Sequence, residues 1–201
     1  MWAIIQAAGW PIWPLIFASV VALAVIIERS WALRQNEVAP RGLVDKVLAE
    51  YRAKGLTQEL LAHTARRGPL GKVLAAGLLN VKSSRAIMKE AVADVGRVVT
   101  HDLERFLTTL GTIASMSPLL GLFGTVVGMI EIFGAQQITG TNPQQLAHGI
   151  SVALYNTAFG LIVAIPSMIF YRHFRAKVDA LILEMEQQAI KLVELAHGER
   201  K

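Results

Sequence analysis

The sequence predicts an all-α integral membrane protein with three transmembrane helices, the second and third extended into the cytoplasm as long helices. Residues 106–130, FLTTLGTIASMSPLLGLFGTVVGMI, contain no charged side chain. At about 1.5 Å per residue such a helix reaches roughly 37 Å, more than the ~30 Å hydrocarbon core of a bilayer. All 20 Lys and Arg fall in two blocks, 29–105 and 172–201, which the positive-inside rule places on the cytoplasmic side. From Arg34 to Arg105 nothing alternates apolar and polar residues with period two, so strands are not expected there. A hydrophobic fraction of 53% and a mean hydropathy of +0.44 fit several spans better than one soluble core.

Taken in order, residues 1–33 are expected to hold a periplasmic N-terminus and the first span. The apolar run ends at Glu28 and Arg29. Positive charge follows that run, whereas a cleavable signal carries it in front, so the reading is a retained helix with its N-terminus outside. Trp2, Trp10 and Trp13 gather at its outer end, where indole rings suit the headgroup layer. Residues 34–105 form a cytoplasmic helical region. Pro40, Gly55 and Gly68-Pro69 divide it into short helices near 41–54, 57–66 and 70–81. Ser83 and Ser84 can cap a further helix, whose stripe Val92, Val95, Val99, Leu103, Phe106 and Leu110 runs without a break signal into the second span, 106–134. One unbroken helix is expected there. A short periplasmic loop at 135–146 requires the third span, 147–171, to return antiparallel. The tail 172–201 keeps the spacing in Val178, Leu181, Met185, Ala189, Leu192 and Ala196, a stripe suited to packing on the one before the second span.

Composition removes several function classes. The chain has no cysteine, hence no disulfide or thiolate metal site, and its His and carboxylate residues lack metal-ligand spacing. No metal or cofactor is expected. The net charge of +5 is spread over mixed-charge blocks, which argues against a nucleic-acid surface. No phosphate-cradling Gly-x-x-x-x-Gly-Lys loop is present, so neither ATP chemistry nor an enzyme is expected.

Within the spans, small residues recur at intervals of three and four. Gly111, Ala114, Pro118, Gly121, Thr125 and Gly128 share one face of the second span; Gly149, Ala153, Thr157, Gly160 and Ala164 share one face of the third. Pro166 should bend that helix and free the Ile162 carbonyl. Lipid does not reward small side chains, but a neighbouring helix does, because backbones then approach closely. Most span hydroxyls, including Ser19, Thr112, Ser115, Ser117, Ser151 and Ser167, are expected to bond back to their own helix. Thr125 and Thr157 differ, since each lies mid-span on a small-residue face where a hydroxyl can line a narrow polar path. Glu131 and His148 belong near the outer ends of their spans, as solvated interfacial groups or as a candidate vestibule that concentrates cations.

Two segments carry a resemblance. TIASMSPLLGLFGTVVGMIEIF at 112–133, preceded by Leu103-Glu104-Arg105, and GISVALYNTAFGLIVAIP at 149–166 resemble the signature helices of the ExbB/TolQ/MotA proton-channel family, closest to ExbB-like biopolymer transport subunits. Ser19 and Glu28-Arg29 are similar to the first span of ExbB-type members. The resemblance implies a subunit of the bacterial inner membrane, N-terminus periplasmic and C-terminus cytoplasmic. It implies a pentamer around helices of an ExbD- or TolR-like partner, which converts proton flow into work on a periplasm-spanning protein such as TonB or TolA. It also implies that Thr125 and Thr157 face the pore. One position departs: where ExbB and TolQ carry Glu in Gly-Ile-x-Glu-Ala-Leu, this chain has Val152, which leaves the partner's aspartate as the titrating group. Asn156 stands one turn deeper on the same face and completes the polar set. A sodium-driven stator and a passive scaffold for a partner helix stay open as alternatives.

Overall fold

The computed structural model describes residues 9–134 and 143–198. Trp2 and the core of the expected periplasmic loop, with Gly140 and Asn142, lie outside the described residues. Among the described residues all regular structure is helical: α1 Ile12–Ala32, α2 Gln35–Val38, α3 Leu43–Lys54, α4 Gln58–Ala65, α5 Pro69–Leu79, α6 Arg85–Glu104, α7 Leu107–Gly134 and α8 Pro143–Ala196. Three stretches, containing α1, α7 and α8, are long and apolar enough to cross a membrane. The apolar α5 spans 11 residues, roughly 16 Å, too short to cross.

Local chemistry sets the ends of the short helices. Thr57 Oγ1 accepts from the Leu60 amide at 3.2 Å at the start of α4, and Ser84 Oγ accepts from the Ile87 amide at 3.4 Å at the start of α6. Pro69 occupies the first position of α5, where its missing amide costs nothing. Gly55, with φ +72°, ends α3 in a conformation that a side chain would strain. The one-turn α2 has no counterpart in the sequence expectation.

The chain packs as two units. One contains the described residues up to Glu28 and residues 106–173; the other contains 29–105 and the residues from 174 onward. In the first, Ile12 and Leu15 of α1 are fully buried, while Phe17, Val20 and Leu23 are exposed at 72%, 61% and 58%. A helix buried on one stripe and bare and apolar on the rest suits lipid or another subunit, not water. Trp10 meets the Phe123 ring edge-on, with centroids 6.0 Å apart.

In the second unit α5 is the hub. Leu70, Leu74 and Leu78 are fully buried, and a Cβ on Gly77 would stand 2.9 Å from Leu192 Cδ2 and 3.1 Å from Val92 Cγ2, so α5, α6 and α8 converge there. Val178, Leu181, Met185, Ala189 and Leu192 are all buried, as the stripe requires, with Ala196 half-buried at its end. Arg175 pairs with Glu104 at 3.1 Å, Lys191 with Asp45 at 2.6 Å, and the Gln35 amide donates to Glu184, tying α8 to α6, α3 and α2.

The unbroken helix expected from α6 into the second span is absent. Arg105 (ψ 140°) leaves the helical region and Phe106 adopts φ +64°, the left-handed region. Leu103 is followed by Leu107 and Leu110 in the buried positions, and Phe106, which the continuous helix would have turned inward, is 39% exposed. Arg29, itself only 6% exposed, sends Nη1 to the Leu103 carbonyl at 3.2 Å. That carbonyl is among the last four of α6, which the break leaves without helical donors, so a buried cation takes one of them. No glycine or proline marks the site in sequence; tertiary contact outweighs local preference.

Candidate transmembrane polar site

The α7–α8 contact is built on glycine. A Cβ on Gly160 would lie 2.5 Å from the Ser117 carbonyl oxygen and 3.2 Å from the Gly121 Cα; one on Gly121 would lie 2.8 Å from the Asn156 carbonyl oxygen and 2.9 Å from the Thr157 Cα. These are backbone atoms that cannot swing away. The two main chains therefore touch, as small residues allow in a membrane. Farther along, a Cβ on Gly128 would sit 3.3 Å from Ala153 Cβ, and one on Gly111 would sit 3.1 Å from the Tyr171 ring.

The buried line of α7 runs through Leu110, Ala114, Ser117, Gly121 and Gly124. Pro118 and Thr125 lie beside it, half-buried, with Gly111 and Gly128. On α8 the matching line is Ala153, Asn156, Gly160, Val163, Ala164 and Ser167, with Gly149 and Thr157 half-buried and Pro166 exposed in the single chain. Ser117 and Gly124 belong to the contact although the small-residue reading passed over them. Spacing alone could have found them: 114-117-121-124-128 fits a helix as well as 111-114-118-121-125-128, and nothing in one chain ranks two overlapping stripes.

Gly124 is what admits Asn156. A Cβ at position 124 would stand 2.7 Å from Asn156 Cβ and 2.8 Å from its Cγ, so the asparagine, 1% exposed, fills the space that glycine leaves. The hydroxyls around it divide into two kinds. Ser117 donates to the Ile113 carbonyl at 2.7 Å, Ser167 to Val163 at 2.7 Å, Ser151 to Ala147 at 2.9 Å, and Thr125 to Leu122 at 2.5 Å. These are back-bonds within one helix. Thr157 makes none: among the described residues its hydroxyl has no hydrogen bond. Ser117 and Ser167 each adjoin a proline, Pro118 and Pro166, which removes one amide from its helix.

Thr125 also lines a cleft of about 620 Å³ with Val126, Met129, Ile130 and Phe133 along α7. Glu131 is exposed near the end of that helix. His148 and Val152 lie on α8, and their side chains fall outside the described residues. The structure thus brings Asn156 and Thr157 against Gly121 and Gly124, one turn or less from Thr125. Among the described residues no cluster of His and carboxylate side chains has metal-binding geometry.

Comparison with known proteins identifies the family. Residues 65–187 match the MotA/TolQ/ExbB proton channel family. The chain is 32% identical over 196 residues to the biopolymer transport protein ExbB-like 3 of Synechocystis sp., covering 94% of this chain and 92% of that protein. It is 32% identical over 168 residues to the biopolymer transport protein exbB1 of Vibrio cholerae, covering 81% and 74%. To the Tol-Pal system protein TolQ of Haemophilus influenzae it is 30% identical over 184 residues, covering 83% and 78%.

Proposed function

Because the chain belongs to the MotA/TolQ/ExbB proton channel family, we propose that it is the pore-forming subunit of a proton-driven, energy-transducing complex in the bacterial inner membrane. It assembles as a pentamer around two transmembrane helices of an ExbD- or TolR-like partner and drives a periplasm-spanning partner of the TonB or TolA kind. Its own part is to hold the polar ring formed by Thr125, Asn156 and Thr157. The partner's aspartate binds and releases the proton, since Val152 cannot titrate and residues 106–130 and 149–171 hold no charged side chain.

One observation supports this reading above the others: Thr157 keeps its hydroxyl out of any hydrogen bond beside the buried Asn156, while its neighbours turn theirs back into the helix. A passive scaffold gains nothing from such a group. A carboxylate that changes charge gains much, because hydrogen bonds to a charged acceptor contribute about 1.5–3 kcal/mol each.

The test is uptake of the transported substrate in cells carrying equal amounts of each complex. Thr157→Val keeps the shape and removes the hydroxyl, so it should abolish uptake and leave assembly intact. Wild-type uptake by the Thr125→Val, Thr157→Val double variant would leave the scaffold reading standing. Hydroxyl and carbonyl oxygens also suit Na⁺; uptake that persists in sodium-free medium and collapses with a protonophore separates the two ions.

A further inference from the structure

We propose that a cleft in the second unit, between α2, the turn into α3 and the turn from α4 to α5, binds a phosphate-bearing anion. The cleft measures about 510 Å³ and is lined by Arg41, Lys46, Arg66 and Arg67 against a single carboxylate, Glu37. Of the other acids in this stretch, Glu50 holds Arg67 at 3.3 Å and Asp45 holds Lys191 at 2.6 Å, and Glu59 does not line the cleft. Among the described residues Arg41, Lys46 and Arg66 take part in no ion pair. Three cations facing one concave space repel each other and concentrate the field within it, which an anion relieves.

Backbone geometry makes the space. Gly68, at φ +90°, lies so close to the end of α2 that a Cβ would stand 2.2 Å from the Glu37 carbonyl oxygen, which pins the α4–α5 turn against α2. Gly42, at φ +72°, sits between the lining residues Arg41 and Leu43 and turns the chain into α3. Two guanidinium groups and one ammonium then supply the planar forks and the point charge that recognise phosphate.

The anion has two sources, a phospholipid headgroup or a soluble phosphate. Asn36 lies four residues beyond the end of α1 at Ala32, hence within about 14 Å of the inner end of the first span. Chain reach therefore allows the cleft the depth of cytoplasmic-leaflet headgroups, where each basic residue adds about 1 kcal/mol of attraction to anionic lipid. This depth rests on the topology proposed above; the phosphate chemistry does not.

Native mass spectrometry of the detergent-purified full chain, titrated with phosphatidylglycerol or phosphatidylcholine, is the experiment, with a parallel titration by inorganic phosphate. The wild type should retain phosphatidylglycerol over phosphatidylcholine. Removing the three free cations together (Arg41→Gln, Lys46→Gln, Arg66→Gln) should weaken binding about fivefold per residue and on the order of 100-fold in all. Arg97→Gln, on α6 and paired with Asp94, should change nothing. Displacement of the lipid by inorganic phosphate assigns the site to a soluble anion, and resistance to displacement assigns it to the headgroup. If the triple variant, folded by circular dichroism, binds phosphatidylglycerol and phosphate as the wild type does, the proposal fails. That result would leave the Thr157 test untouched.

Discussion

The Gly160 Cα sits so close to the Ser117 carbonyl that the smallest possible side chain would place a carbon 2.5 Å from its oxygen. Gly160→Ala should therefore push α7 and α8 apart, at about 1–3 kcal/mol for overpacking. Gly96 of α6 is the matched control. Nothing lies within 4 Å of its Cβ position, so Gly96→Ala should stabilise by about 0.5–1 kcal/mol through helix propensity. Thermal unfolding of the purified protein checks both. Equal effects from the two alanines would mean that helix propensity, not contact, governs position 160.

Arg29 and Leu103 make a second test. Arg29→Met keeps the apolar stem and deletes the donor, leaving the last turn of α6 with a buried carbonyl short of a partner. A loss of about 1–3 kcal/mol is expected, with partial recovery in Arg29→Lys. A methionine variant as stable as the wild type would show that water replaces the guanidinium.

Phe106 holds a conformation that L-residues resist, by roughly 1–2 kcal/mol. Between two variants that both lose the ring, Phe106→Gly should be more stable than Phe106→Val by about that amount, because a β-branched side chain is the worst occupant of positive φ. A purely hydrophobic account ranks them the other way. Chemical denaturation of the pair decides.

Charge segregation implies opposite exposure of Arg41 and Asn142. In a chain without cysteine, Arg41→Cys should react with a membrane-impermeant maleimide only in inside-out vesicles, and Asn142→Cys only in intact spheroplasts. Labelling of both from one side would overturn the three-span topology.

Much of this protein is carried by one-dimensional signals. Uncharged runs longer than a bilayer mark the spans, Thr57 and Ser84 mark helix starts through their own side-chain oxygens, and Val178 to Leu192 mark a buried stripe by spacing. Each is a property of residues close in the chain, so no knowledge of the partner surface is needed. Three features depended on the tertiary structure. Which of two equally periodic stripes on α7 turns inward was decided by the backbone of α8, which admits Ser117, Gly121 and Gly124 and sets Thr125 to the side. The break at Arg105 and Phe106 carries no sequence marker, and a donor for the interrupted helix comes from a residue 74 positions away, the buried guanidinium of Arg29. The distinction between Thr157 and the back-bonded hydroxyls was decided by side-chain rotation against a neighbouring helix. Helical periodicity places a residue on a face, but only the packed partner determines what that face touches.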